Sequence, residues 1–192
     1  MKNGSTLFSS IHTVVSRAIM TAGLVSGLCL TPLFAQQLLI SNGAFLNNGT
    51  GTITVNGNIV NNGSFTNTGA GIINLAGDWQ NNGSYTSASE TVSFLGTAAQ
   101  NITGSSATTF NNLTLDNIYG LSLSGNSNAG IEGQLTLVNG RCSLGSKNLI
   151  LGTDATISIA SPSVATMIVP DGTGKLIKDF GTSGVTTFFF PV

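Results

Sequence analysis

The residues able to do chemistry are few and far apart. The carboxylates Asp78, Glu90, Asp116, Glu132, Asp154, Asp171 and Asp179 stand singly along the chain. Acid–base work on a glycosidic bond needs two of them held at a fixed separation. Some sugar-cleaving coiled folds work with acids plus a basic residue, and Asp116 with Arg141 on neighbouring turns is the pairing of that kind to consider. Single acids are by default solvated surface groups, and that is the expectation for all seven. The one histidine is His12 and the two cysteines are Cys29 and Cys142. With residues 1–35 expected to be a leader, only Cys142 would remain in the mature chain, so no Ser-His-Asp or Cys-His arrangement is expected. A zinc site lacks its ligands as well, and no cofactor is expected. Gly172-Thr173-Gly174-Lys175 has the flavour of a phosphate loop, but Leu176 stands where Ser or Thr should follow and the first glycine of that motif is missing. It reads as a tight turn into a strand. Cys142 follows Arg141, which could lower its pKa, yet a buried cysteine acting as a small hydrophobe is the expected state.

What recurs is polar and aromatic rather than reactive. Ser41-Asn42-Gly43-Ala44-Phe45 returns as Asn61-Asn62-Gly63-Ser64-Phe65 and again as Asn81-Asn82-Gly83-Ser84-Tyr85, every twenty residues. A fixed period in this range is the mark of a coiled, repetitive backbone. In such a backbone Asn42, Asn62 and Asn82 form a ladder whose amides donate and accept along the axis. Phe45, Phe65 and Tyr85 form an aromatic column at the same spacing. The column is read as core packing near a corner. The sharper reading turns it outward as a platform for sugar rings, with Tyr85 and Trp79 as the candidate glycan contacts. Tyr85 carries a hydroxyl that wants a partner. Trp79 is a singleton where Ile59 and Ala99 are expected to be equivalent, and is read first as core or as cover for a gap.

The elements that must carry these residues are short strands. Thr52-Ile53-Thr54-Val55 falls on Ile72-Ile73-Asn74-Leu75 and then on Val92-Ser93-Phe94-Leu95, while Gly57 falls on Gly77. Val, Ile, Thr and Phe in alternating runs favour strands, and Asn-Gly marks the turns between them. No amphipathic helix of useful length is present, because the polar stretches hold too much Gly, Asn and Thr. Further on come Leu113-Thr114-Leu115, Leu121-Ser122-Leu123, Leu135-Thr136-Leu137 and Leu149-Ile150-Leu151, each placing its two leucines on one face. Asn117 and Asn139 follow two of these runs, 22 residues apart. The fold expected is all-β: a right-handed parallel β-solenoid with coils of about 20–22 residues and six to eight turns in all. The alternative is a β-sandwich of hairpins. Like residues stacked in register favour the solenoid.

Composition sets the class and the compartment. Only 7% of the 192 residues are charged, against roughly 25% in an ordinary soluble chain. With 41% hydrophobic residues this is not a disordered composition. No basic patch exists to neutralise phosphates, so nucleic acid is not an expected partner. Residues 1–35 read as a secretory signal peptide: Lys2 and Arg17, an apolar run from Ala18 to Leu30, and a cleavage site before Gln36. The mature chain then loses His12 and Cys29, keeps Cys142 alone, and carries Arg141, Lys147, Lys175 and Lys178 against seven acids, a net of −3. No later apolar stretch is long enough to span a membrane. Residues 36–155 are expected to form the solenoid repeats, and residues 156–192 a less regular β segment that begins a further domain or is an incomplete end. The chain closes on Phe188-Phe189-Phe190-Pro191-Val192 with no polar cap. An uncovered strand edge invites aggregation, so a longer protein or a covering partner is expected.

The runs Phe110-Asn111-Asn112-Leu113-Thr114-Leu115, Gly133-Gln134-Leu135-Thr136-Leu137-Val138-Asn139-Gly140 and Leu149-Ile150-Leu151-Gly152 carry a resemblance. Together with Lys175-Leu176-Ile177-Lys178 and the closing Phe188–Val192, they are similar to the repeat region of large secreted, adhesin-like surface proteins of Bacteroidota, exported by the type IX route. The likeness spans about residue 40 to the end. It implies a β-solenoid at the cell exterior, although the C-terminal sorting domain usual in those proteins is not visible. The function expected is a non-enzymatic secreted or cell-surface solenoid with a structural or adhesive role. The alternatives are a carbohydrate-binding or carbohydrate-cleaving β-helix, and a truncated fragment without a function of its own. The partner is not written in the residues; a surface glycan or another protein are the candidates.

Overall fold

Runs of three to six residues that alternate apolar with small polar side chains form the strands, and Gly- or Asn-bearing corners turn the chain between them. The computed structural model describes residues 37–126, 128–159, 162–182 and 187–191, together with three short backbone strands ahead of them. It is a parallel β-solenoid of about six turns, with about 21 residues per turn. Each coil lays one strand on each of three faces, and each strand pairs with its counterpart one coil away.

The first face stacks Leu38–Ile40, Ile59–Asn61, Trp79–Asn81, Gln100–Thr103, Leu121–Leu123, Cys142–Ser143 and Ile168–Val169 without interruption. The third stacks Thr52–Val55, Ile72–Leu75, Thr91–Phe94, Asn112–Asp116, Gln134–Asn139 and Thr156–Ile159, again without interruption. The second face is split. Phe45–Asn48, Ser64–Asn67 and Ser84–Thr86 belong to one sheet, whereas Thr108–Phe110, Ala129–Ile131, Leu149–Leu151 and Leu176–Lys178 belong to another. The expected leader, residues 1–35, lies outside the described residues except for Ala18–Met20, Leu24–Val25 and Leu33–Ala35, which pair in parallel with the first coil.

From Leu38 onward, alternate side chains of the strands turn into the lumen and form columns. Ile53, Ile73, Val92, Leu113 and Leu135 make one on the third face, and Val55, Leu75, Phe94, Leu115 and Leu137 another. The intervening residues form an outward column of short uncharged side chains: Thr54, Asn74, Ser93, Thr114, Thr136 and Ser158. One side chain every ~4.8 Å along the axis follows from the strand spacing.

Four expected equivalences shift. Phe45 pairs with Ser64, and it is Leu46 that lies over Phe65. The cause is a longer corner in the first coil: Ser41 accepts from the Ala44 N–H in a tight turn whose Gly43 has φ +78°. Val92 pairs with Ile73 rather than Ile72. Trp79 pairs with Ile59 and with Ile102, not with Ala99, because the corner before Gln100 is longer. Asn139 pairs with Asp116 through a bulge rather than standing over Asn117. The stack also runs past the boundary expected at 155, since Thr156–Ile159 continues the third face in register.

Candidate functional site

The recurring asparagines lie at the corner between the first and second faces. Asn82 Nδ2 donates to Asn62 Oδ1 at 2.9 Å, and Asn82 Oδ1 accepts from the Ser105 N–H at 3.1 Å. Asn42 is exposed in the longer first corner, so the ladder does not extend to it. The preceding position holds a buried pair. Asn61 Nδ2 donates to Asn81 Oδ1 and to the Ser84 carbonyl, both at 2.8 Å, and Asn81 Nδ2 donates to the Ala107 carbonyl at 3.0 Å. An amide with both ends engaged can sit in an apolar lumen because its hydrogen bonds offset the cost of leaving water.

The aromatic residues meet inside the stack. Trp79 is fully buried, and its indole N–H donates to Thr108 Oγ1 at 3.1 Å. Its ring centroid lies 6.0 Å from Phe65, 5.0 Å from Tyr85 and 5.1 Å from Phe110. Phe65 and Tyr85 are register partners with rings edge-on at 5.5 Å, the arrangement that brings a positive ring edge onto a negative face. Phe45, shifted by one, is half-buried and outside this cluster. Trp79 therefore has no surface to offer a glycan, and the Tyr85 phenol is already occupied.

Its partner is Glu90. Tyr85 Oη donates to Glu90 Oε1 at 2.9 Å, and Asn67 Nδ2 donates to Tyr85 Oη at 2.9 Å. The backbone N–H groups of Ala88 and Asn111 also donate to the carboxylate, at 2.7 and 3.0 Å. Glu90 is 0% exposed, so one of the seven acids is not the solvated surface group its isolation suggested. Burial, reinforced by the nearby Glu90 charge, holds the Tyr85 phenol well above the ordinary tyrosine range. These groups lie at the split of the second face, where Ser84–Thr86 and Thr108–Phe110 belong to different sheets. The site is an interior polar plug in which the Tyr85 hydroxyl and the Glu90 carboxylate are satisfied, while Asn67 Oδ1 is buried without a partner among the described residues.

The other candidates separate. Asp116 accepts from Asn139 Nδ2 at 2.7 Å, whereas Arg141 Nε donates to the Val164 carbonyl at 2.6 Å. The sugar-cleaving pair is not assembled. Asp171 accepts from the Gly145 N–H at 2.7 Å, and a Cβ on Gly172 or Gly174 would collide with the backbone of Gly145 or Lys147. That segment is a turn pressed against the coil below, with no room for a phosphate in between. Cys142 is buried in the first-face column between Leu121 and Ile168, and desolvation pushes its thiol up to about 12. Among the described residues no three His, Cys, Asp or Glu side chains gather as metal ligands, and no helix is long and apolar enough to cross a membrane.

Sequence reasoning passed over one exposed feature. At the corner between the third and first faces, Ile118, Tyr119, Gly120, Arg141 and Ala165 line a shallow groove of about 210 Å³. Tyr119 has no counterpart in the repeat, so periodicity gave it no weight; an aromatic set between Asn117, Ile118 and Gly120 in a turn was the available signal. Comparison of the chain with known protein families, curated proteins and solved structures finds no match in any of the three.

Proposed function

We propose that this chain is a non-enzymatic, secreted or cell-surface β-solenoid with a structural or adhesin-like role. The observation that carries the reading is the unbroken parallel pairing of the first and third faces through all six coils. Continuous ladders of this kind make a stiff scaffold that presents its flanks, each coil touching only its neighbours. The outward column of the third face is short and uncharged, a surface suited to lateral contact rather than to turnover. The buried polar groups support the same role, since Asn61, Asn81, Tyr85 and Glu90 hydrogen-bond to one another or to backbone within the lumen. The leader-like residues 1–35 and the likeness to Bacteroidota surface repeats support export.

The test is to find the mature protein. Mass spectrometry of the N-terminus is expected to show cleavage near Gln36, and protease shaving of intact cells is expected to release the chain or fragments of it. An intact Met1 on a chain retained in the cytosol would sink the reading. Turnover of a polysaccharide by the purified protein would sink its non-enzymatic part.

A further inference from the structure

Ile118 and Tyr119 are 73% and 59% exposed, and Val164, at the same corner two coils further along, is 74% exposed. The turn carrying the first two is held rigidly. Asn117 is buried beneath it: Nδ2 donates to the Ala98 carbonyl at 2.7 Å and to Gln100 Oε1 at 3.0 Å, while Oδ1 accepts from the Tyr119 N–H at 2.9 Å. Gly120, at φ +87°, donates its N–H to the Asn117 carbonyl at 2.9 Å. A buried amide thus clamps a turn whose two largest side chains face water. The same corner of the second and third coils reads Asn56-Gly57-Asn58 and Ala76-Gly77-Asp78, with no large apolar group. Clustered exposed apolar surface beside a polar rim marks a contact site, and a fixed turn lowers the ordering cost of binding there.

The rim is Arg141, exposed, with its Nε–H on the Val164 carbonyl. Its terminal amino groups have no partner among the described residues, and Asp116 is engaged by Asn139 instead. We propose that this groove binds an acidic sugar unit of an extracellular glycan, its ring stacked on Tyr119 and its carboxylate on Arg141. Size supports one ring: the groove holds about 210 Å³, below the roughly 300–1,000 Å³ of a site for a drug-sized ligand. The C–H face of a pyranose is electropositive and suits the negative face of the phenol ring. With Nε held by the Val164 carbonyl, the two terminal amino groups of Arg141 are left to grip a carboxylate with two parallel bonds. Nucleic acid would need several cations along its backbone, and this corner carries one.

The inference rests on the surface reading only in that the ligand is extracellular. Titration calorimetry of the purified protein with oligogalacturonate and with its neutral methyl ester is the test, with sialyllactose against lactose as a second pair. At least one acidic member is expected to bind roughly tenfold or more tightly than its neutral partner. Tyr119→Ala and Arg141→Gln are each expected to weaken that binding about tenfold while Tyr119→Phe preserves it. All three variants are expected to melt as the parent does. No binding by any of the four sugars overturns the proposal. So does equal binding of the acidic and neutral forms, undiminished binding by Tyr119→Ala, or binding of a polyglutamate peptide as tight as that of the sugar acid. A chain found at the surface that binds none of them overturns the site alone, and a chain kept in the cytosol overturns the surface reading while the calorimetry stands.

Discussion

The second and third coils and the fourth and fifth turn through similar numbers of residues and distribute them oppositely. In the second coil two residues separate Ile59–Asn61 from Ser64–Asn67, and four separate that strand from Ile72–Leu75. In the fifth coil five residues separate Leu121–Leu123 from Ala129–Ile131, and two separate that strand from Gln134–Asn139. The second-face strand has moved along the perimeter, and its sheet breaks between Ser84–Thr86 and Thr108–Phe110. The difference shows that corner chemistry, not strand composition, sets where a strand lies. Asn-Asn-Gly makes a short corner in one half, while longer Gly- and Ser-bearing corners replace it in the other. Where the two patterns meet, Trp79, Tyr85, Phe110 and Glu90 fill the mismatch.

If those residues hold the halves together, removing them should cost more than comparable losses within either half. Trp79→Ala is expected to have the largest effect, about 3–5 kcal/mol, as for other buried aromatics. Chemical denaturation would measure it, and a loss no larger than that of Leu137→Ala would deny the junction any special weight. Glu90→Ala leaves the Tyr85 hydroxyl and the Ala88 and Asn111 N–H groups without their acceptor, an expected loss of about 3 kcal/mol. Adding Tyr85→Phe to it is expected to cost less than it does alone, because the partner is already gone. Two glycines sharpen the contrast between a packed and a loose corner. A Cβ on Gly83 would run into the Gly63 carbonyl, whereas one on Gly43 meets nothing within 4 Å. Gly83→Ala is expected to cost about 2 kcal/mol, and Gly43→Ala about 1 kcal/mol from its positive φ alone.

Alkaline titration gives the smallest effect. Cys142 is pushed up to about 12 from an ordinary value of 9.0. The folded state therefore keeps its proton where the unfolded chain releases it, and this contribution is whole below pH 9 and lost as pH rises towards 12. Tyr85 acts in the same direction from about 10 upward. Unfolding free energies of Cys142→Ala and Tyr85→Phe across this range should each show a shallower decline than the parent. A slope unchanged in both variants would contradict the burial of these groups.

The core was legible because each strand states its inward face locally. Leu113-Thr114-Leu115 and Leu135-Thr136-Leu137 need no partner to show which side is apolar, and they pair as their pattern suggests. Register was less legible. Identity at a spacing of twenty hid a 21-residue step from Leu38 to Ile59 followed by a 19-residue step from Phe45 to Ser64. The Asn-Gly turn that cancels the difference looks like the short corner of the next coil, but holds two residues more. Glu90 was misjudged because a charge alone in sequence acquires its donors from chain 5 and 21 residues away. Tyr119 escaped for the opposite reason: it breaks the repeat instead of belonging to it.

The split second face also governs how such a molecule can change length. Between the second and third coils, whose first- and second-face strands both step by twenty residues, adding a coil reproduces the short corner already present. A coil inserted between Thr86 and Thr108 would have to choose one phase, and would move the mismatch rather than remove it. Duplication of such a coil therefore extends one phase, while the mismatch at the aromatic plug persists wherever the coil is added. The plug marks the place in the described stack where the two phases of the second face must meet.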